Sequence, residues 1–297
     1  TMYVTLEPCC HVGRTGPCTE AIRQAGIARV VYAVNDPDHR VNCRGGKCLV
    51  ESSIEVESGV LEDEARQLNE AYFGYHANAR PWVILKMAQT LDGRIATSTG
   101  DSQWISGEAS LHLAHRLRSE VDAVVVGMGT VRKDNPSLTV RHVRGTNPYR
   151  IVLTSSARMP RNCKLLDENH DYKTIIAASA EAADRLARSK RARNTIIWKL
   201  KTNRQGSADT RDLLKQADRF GIRSLLLEGG SAVATTFLKR RLVDKLVMVT
   251  APMILGDGTS TVGDLRIRRL ARSITFRDYS FGRCNGDSVF IGYPVWS

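Results

Sequence analysis

Two groups of residues in this 297-residue chain have types and spacings that could do chemistry. The first is Cys9 and Cys18, within TLEPCCHVGRTGPC. Cys9 follows Pro8 directly after a strand-like run, and Cys18 follows Pro17 at the start of a helix-like one. A strand end and a helix start can meet at one point, and a helix N-terminus favours the thiolate that a metal needs. Two Cys and one His holding Zn²⁺ form a set with which zinc activates water against an amino-bearing ring carbon, while a separate Glu shuttles protons. A catalytic zinc takes three protein ligands plus water, so two thiolates fall one short. His11 is better placed to face a substrate than to complete the set. Cys10, Cys43, Cys48, Cys163 and Cys284 have no ligand-like spacing and read as ordinary small residues.

The second group lies beyond residue 80. Lys86 sits inside the apolar run WVILKMA, where an unpaired ammonium is costly, so a ligand or partner is expected beside it. Gly127, Gly129 and Thr130 fall at a strand end, where small residues let backbone N–H groups approach a ligand. Gly229, Gly230 and Ser231 open a helix whose N-terminal N–H groups favour phosphate. Neither stretch is the G-x-G-x-x-G fingerprint. Set on neighbouring strands, they would make a cradle for dinucleotide phosphates.

The elements that must position these residues fall into two sets. MYVTL, ARVVYAV and SSIEV read as strands that alternate with helices at CTEAIRQAG (capped near Thr19), RGGKCLVE and LEDEARQLNEAYFGY, which implies a mainly parallel sheet. At about 75 residues this piece has little core to spare. HANARP, residues 76–81, reads as a linker, giving domains at 1–78 and 79–297. In the second domain WVILKMA, DAVVVG, RIVLTS, KTIIAAS, TIIWKL, SLLLE and KLVMVTAPMIL read as strands. Helices are expected at GEASLHLAHRLRSEV, AEAADRLARS, TRDLLKQADRFG (capped by Thr210, stopped by Gly221) and after EGG. DAVVVGMGT reads as a strand running into a glycine turn. The end reads as a hairpin around Asn285-Gly286, an antiparallel finish to an α/β domain.

Composition limits the function classes. The apolar share of 42% and charged share of 25% are those of an ordinary globular protein, and no run approaches the ~20 apolar residues of a membrane span. Lys and Arg exceed Asp and Glu by 12, with clusters at 185–194, 238–242 and 266–273. Those clusters carry few aromatics, which favours solvated helix faces over nucleic-acid binding. A polyanionic cofactor and substrate would also suit the surplus. Seven cysteines, five of them in the first 48 residues, fit reduced thiols with a local metal or catalytic role better than a disulfide scaffold.

TLEPCCHVGRTGPC resembles the deaminase signature of the bifunctional riboflavin-biosynthesis family, the diaminohydroxyphosphoribosylaminopyrimidine deaminase/5-amino-6-(5-phosphoribosylamino)uracil reductases; that family usually has Ser where this chain has Cys10. The resemblance continues through LKMAQTLDGRIA, GDSQWISG, VVVGMGTVRKDNPSLTVR and LLLEGGSAVATTFL, to about Val295. It implies a partial cytidine-deaminase-like α/β/α domain followed by a dihydrofolate-reductase-like α/β domain. It further implies a cytoplasmic enzyme that uses NADPH to reduce the ribosyl side chain of a phosphorylated pyrimidine, associating into homo-oligomers through the reductase domain. In the family a His-Ala-Glu helix supplies the third zinc ligand and proton shuttle ahead of this signature. The chain is therefore expected to lack deaminase activity, with Cys9 and Cys18 as residual zinc positions.

Carried over residue by residue, the resemblance places Ala88, Trp104, Thr130, Asp134, Gly230, Ser231, Ala232, Val233, Ala234, Thr235 and Thr236 against NADPH. It places Ser102, Arg118, Leu138, Arg141 and Glu228 against the sugar-phosphate substrate. Arg118 and Arg141 could clamp a 5′-phosphate with their forked donors. Lys86 is assigned to polarise or protonate near the reacting carbon, and Glu228 to orient the sugar. Simpler readings stand beside these: Arg118 as solvated helix charge, Asp134-Asn135-Pro136 as a plain turn, and Trp104 as packing. Two alternatives remain open, an intact bifunctional enzyme represented without its first segment, and a nucleic-acid-binding protein on the same scaffold.

Overall fold

A computed structural model describes residues 1–13, 15–203 and 206–296. The chain divides into two compact units, Thr1–Ala79 and Arg80–Ser297.

In the first unit the described elements are β1 (Met2–Leu6), α1 (Cys18–Gln24), β2 (Arg29–Val34), α2 (Gly45–Glu51), β3 (Glu55–Ser58), α3 (Glu62–Leu68) and α4 (Glu70–Asn78). The strands form a parallel sheet in the order β1-β2-β3. Val30 of β2 packs with Ile22 of α1 and Leu49 of α2, and Ala33 and Val34 pack with Ala65 of α3. The helix expected across LEDEARQLNEAYFGY breaks at Asn69, whose side-chain amide donates to the Ala65 carbonyl at 2.8 Å. Glu7 is buried and structural: its carboxylate accepts the N–H groups of Cys43 at 2.9 Å and Gly46 at 3.0 Å, tying the end of β1 to the start of α2.

The second unit contains β4 (Trp82–Thr90), β5 (Arg94–Thr97), α5 (Glu108–Ser119), β6 (Ala123–Gly127), α6 (Met128–Asp134), β7 (Tyr149–Thr154), α7 (Lys164–Asp167), β8 (Thr174–Ser179), α8 (Ala180–Ala187), β9 (Ile196–Leu200), α9 (Thr210–Phe220), β10 (Ser224–Leu227), α10 (Ser231–Lys239), β11 (Lys245–Ala251), β12 (Gly258–Ser260), β13 (Thr275–Cys284) and β14 (Asp287–Val295). Among the described residues its main sheet runs β13-β14-β11-β4-β10-β6-β7-β8-β9. Strands β11 through β9 are parallel, and β14 and β13 add an antiparallel edge. The central strands are nearly continuous Val, Ile and Leu because both faces are covered; Val83, Leu85, Val125, Ile151, Leu225 and Phe237 share one core.

Two local details differ from the sequence reading, and the expected terminal hairpin is present. Helix α9 is capped by Asp209, which accepts from the Arg211 N–H at 2.8 Å, rather than by Thr210. Gly127 is the N-cap of α6, and Gly129 and Thr130 lie in that helix's first turn rather than in an open glycine turn. The terminal hairpin turns at Asn285 and Gly286, both at positive φ (44° and 102°), the conformation a two-residue hairpin loop requires.

Candidate active site

In the second unit, parallel strands β4, β10 and β6 lie side by side, and the chain leaves them for β5, α10 and α6 respectively. An open cleft of about 1250 Å³ lies there, larger than a typical single-ligand pocket of ~300–1,000 Å³. Lys86 and Ala88 of β4, Thr130 and Asp134 of α6, Glu228 to Ala232 after β10, and residues 102–106 line it. The cleft lies over the middle of the sheet, at the C-terminal ends of its strands, where open α/β sheets hold ligands.

Glycines set how closely the walls approach. A Cβ on Gly127 would come within 2.9 Å of Val233 Cγ2, and one on Gly229 within 3.1 Å of Val233 Cβ. Lacking those carbons, the ends of β6 and β10 close onto the first turn of α10. The leading N–H groups of a helix have no intrahelical acceptor, and Gly230, Ser231 and Ala232 carry them along the cleft wall. Unpaired backbone N–H groups so placed are of the type that can bind a phosphate. Thr235 and Thr236 continue the wall, but Val233 and Ala234 turn inward to the core, because successive residues of a helix cannot all face one side.

At the floor, Arg118 and Glu228 form a buried two-pronged ion pair. Arg118 Nε donates to Glu228 Oε1 at 2.7 Å and Nη2 to Oε2 at 2.6 Å, with the side chains 10% and 11% exposed. A third donor, Nη1, reaches the Thr139 carbonyl at 3.2 Å. Burial alone would raise the Glu228 pKa, but Arg118 and Lys86 outweigh it and hold the carboxyl below its usual range. Lys86 is pushed the other way: burial lowers its pKa, Glu228 and Asp287 resist, and Arg118 adds to the fall. Arg118 is thus neither solvated charge nor a free phosphate clamp; its fork is committed to Glu228. Arg141 is exposed, and its guanidinium is bonded to Ser137 and Thr139.

Other expected residues take varied places. Ser102 Oγ lies 3.5 Å from Asp134 Oδ1, and burial raises the Asp134 pKa. Asn135, at φ 41°, ends α6, so the Asp-Asn-Pro stretch is also the turn its residues suggest. Trp104 is 74% exposed, so its ring is not committed to packing and is free to cover a ligand. Leu138 is buried in the cleft wall at φ 54°.

Several residues at the site are absent from the sequence-based set. His115 of α5 is buried and lines the cleft. Asp287 of β14 accepts from the Gly107 N–H at 2.9 Å and from Ser110 Oγ at 2.6 Å, fixing the N-terminus of the helix that carries His115 and Arg118. Lys133, Lys164 and Lys239 stand exposed on the rim.

In the first unit, Cys9 and Cys18 meet as expected, with sulfurs 3.3 Å apart and the Cys18 N–H 3.4 Å from Cys9 Sγ. The thiol of Cys18 is raised, not lowered: its shared hydrogen bond with Cys9 comes first and burial second, outweighing the backbone N–H groups. Among the described residues no third His, Cys, Asp or Glu joins them in a metal-holding group. Two thiols without a third donor do not fit a catalytic zinc. Within the basic clusters, Arg185 pairs with Glu181, Arg191 with Asp167, Arg240 with Asp209 and Arg268 with Asp264. Among the described residues no helix is long and apolar enough to cross a membrane.

The family model of the RibD C-terminal domain matches residues 81–289. The riboflavin biosynthesis protein RibD of Aquifex aeolicus is 42% identical over 278 residues, covering 93% of this chain and 76% of that protein. The structure of Acinetobacter baumannii RibD superposes with a TM-score of 0.83 at 29% identity, covering 98% of this chain and 80% of the other. A diaminohydroxyphosphoribosylaminopyrimidine deaminase/5-amino-6-(5-phosphoribosylamino)uracil reductase from Thermotoga maritima gives 0.80 at 30% identity, with coverages of 98% and 79%. Nothing in these matches favours a nucleic-acid-binding reading. The chain belongs to the RibD family of riboflavin-biosynthesis enzymes, and the cleft lies in the reductase domain of that family.

Proposed function

We propose that this cleft binds NADPH beside 5-amino-6-(5-phosphoribosylamino)uracil and reduces the ribosyl side chain to the ribityl chain. The carrying observation is the placement of the Arg118–Glu228 pair and the half-buried Lys86 in one cleft with the first turn of α10. Gly230 to Ala232 and Thr130 would hold the cofactor's phosphates, with Thr235, Thr236, Asp134, Ala88 and Trp104 along its length. Val233 and Ala234 contribute by anchoring α10 in the core. When bound, NADPH supplies hydride.

The chain's own residues do the rest. Arg118 fixes both oxygens of Glu228, so the carboxylate is already oriented to accept hydrogen bonds from sugar hydroxyls with its remaining lone pairs. Ser102, Leu138 and Arg141 would flank the sugar phosphate, Arg141 being the exposed cation. Opening of the ribosylamine ring gives an imine at C1′; adding hydride to C1′ and a proton to the imine nitrogen balances a two-electron reduction. Lys86, its pKa lowered by burial, stands as the group to hydrogen-bond or protonate at that nitrogen. Alignment and exclusion of water supply most of the acceleration, since no covalent nucleophile is needed.

The test is a fluorescence titration with NADPH, followed by NADPH consumption with the phosphoribosylaminouracil. Saturable binding and stoichiometric consumption are expected. Absence of turnover in a folded protein that binds NADPH would reject the substrate, and absence of binding would reject the reading whole.

A further inference from the structure

His115 is buried to 0% exposure on α5, yet it forms part of the cleft wall. Its Nδ1 accepts the Arg141 backbone N–H at 3.0 Å. That bond fixes the tautomer: a neutral imidazole accepting at Nδ1 carries its proton on Nε2. Nε2 has no hydrogen-bond partner among the described residues. A buried donor left unpaired is costly, and a native fold keeps one only where something repays it.

The surroundings hold the ring neutral. Burial lowers its pKa to about 4, Arg118, His142 and Arg141 push the same way, and Glu228 opposes them. His142 stacks edge-on against it at 4.6 Å between centroids, with His112 5.2 Å beyond. A neutral Nε2–H in this place can only donate. What it lacks is an oxygen acceptor, and the sugar phosphate proposed for this cleft is rich in them.

We propose that His115 is a substrate-binding residue: its Nε2–H donates to an oxygen of the bound sugar phosphate, while its Nδ1 holds the Arg141 segment against α5. The inference rests on the cleft being the sugar-phosphate site. It joins two functions in one ring, because the segment that His115 grips through Arg141 is the one that Arg118 grips through the Thr139 carbonyl.

Two variants separate the two nitrogens. In His115→Asn the amide oxygen falls near Nδ1 and keeps the Arg141 bond, but the distal donor is gone. In His115→Gln the amide nitrogen falls near Nε2 and keeps the donor, but the proximal acceptor is gone. For His115→Asn we expect KM for the phosphorylated substrate to rise five- to tenfold, with kcat and the NADPH Kd within about twofold. His115→Gln should recover most of the lost KM. The His115→Asn penalty should be constant from pH 6 to 8, because a neutral donor does not titrate there. Unchanged KM in His115→Asn, or a penalty that grows toward acid, overturns the proposal. Should the variants fail to fold, the imidazole ¹H–¹⁵N spectrum of the wild-type chain decides. Ribose 5-phosphate should shift the His115 Hε2 signal downfield; saturating ribose 5-phosphate that leaves it unmoved overturns the proposal, as it would if that N–H merely rested on the His142 ring. A shifted signal without NADPH turnover would leave His115 standing and reject the reductase substrate, so the two failures are distinct.

Discussion

Replacing Arg118 with Met and Glu228 with Gln, singly and together, measures what the buried pair contributes. The pair is about nine-tenths buried and two-pronged, with the third Arg118 donor on the Thr139 carbonyl. Two unit charges about 4 Å apart attract by about 4 kcal/mol at an effective dielectric of about 20. Removing one partner of such a pair typically costs 3–5 kcal/mol, roughly, because a charge stays buried without its counterion. Arg118→Met leaves Glu228 with only Lys86 as a nearby cation, and should destabilise the second unit by about 4 kcal/mol. In a unit of this size each kcal/mol moves Tm by about 2–4 °C, so Tm should fall by roughly 8–16 °C. The double variant removes both charges and should recover more than half of that loss. Turnover should stay abolished in it, since the sugar-orienting carboxylate is absent. Differential scanning calorimetry, resolving the transition of the larger unit, is the assay. A double variant no more stable than Arg118→Met, or a single-variant loss under about 3 °C, would refute the claim that the two residues act as one buried unit.

Lys86→Met should lower kcat by about a hundredfold while the NADPH Kd stays within about twofold; unchanged kcat would remove Lys86 from the chemistry. Gly127→Ala places a Cβ within 2.9 Å of Val233 Cγ2, which should cost about 1–3 kcal/mol and weaken NADPH binding several-fold by displacing α10. Adding Val233→Ala should restore much of the affinity, and a tight-binding Gly127→Ala chain would count against the cradle. The His115 pKa of about 4 lies below the unfolded value of about 6.5, so between those values the unfolded chain binds the additional proton. Stability should therefore fall as pH drops from about 6.5 to 4, by about 1–3 kcal/mol more than in His115→Asn; coincident melting curves would refute this.

The alternation of apolar runs and helical stretches gives nearly every element, because parallel strands covered on both faces read as continuous Val, Ile and Leu. Local chemistry at element ends is harder to read. Gly-Met-Gly-Thr looks like a turn, but Gly127 caps a helix that begins at once. Val233 and Ala234 follow the helical period: at 3.6 residues per turn they fall with Phe237 toward the core, leaving Ser231, Ala232, Thr235 and Thr236 at the cleft. The Arg118–Glu228 pair joins residues 110 positions apart, and Asp287 caps α5 from 177 and 180 positions away. No local pattern carries such pairings. His115 did leave a trace, since it lies three residues before Arg118 on one helix, but only the tertiary packing shows that its outer nitrogen has no partner.

The charges of the site divide by depth, and the division bears on how one cleft would serve the two polyanions proposed for it. Inside are Lys86, Arg118, Glu228 and Asp287, two of each sign and mutually coupled. Their fields largely cancel, so the floor has little net charge with which to attract a phosphate, and its worth lies in orientation. On the rim stand Arg141, Lys133, Lys164 and Lys239, all exposed, with Glu168 as the acidic exception. Exposed cations are screened by salt within about 10 Å at 0.1 M, whereas a buried pair is screened much less. Attraction of the phosphates therefore belongs to the rim and should weaken as ionic strength rises. Alignment of the sugar belongs to the floor and should not. Strong phosphate binding at the floor would compete with the Arg118–Glu228 pair and release the very carboxylate that must stay fixed, so a charge-balanced floor beneath a cationic rim is what this reaction requires.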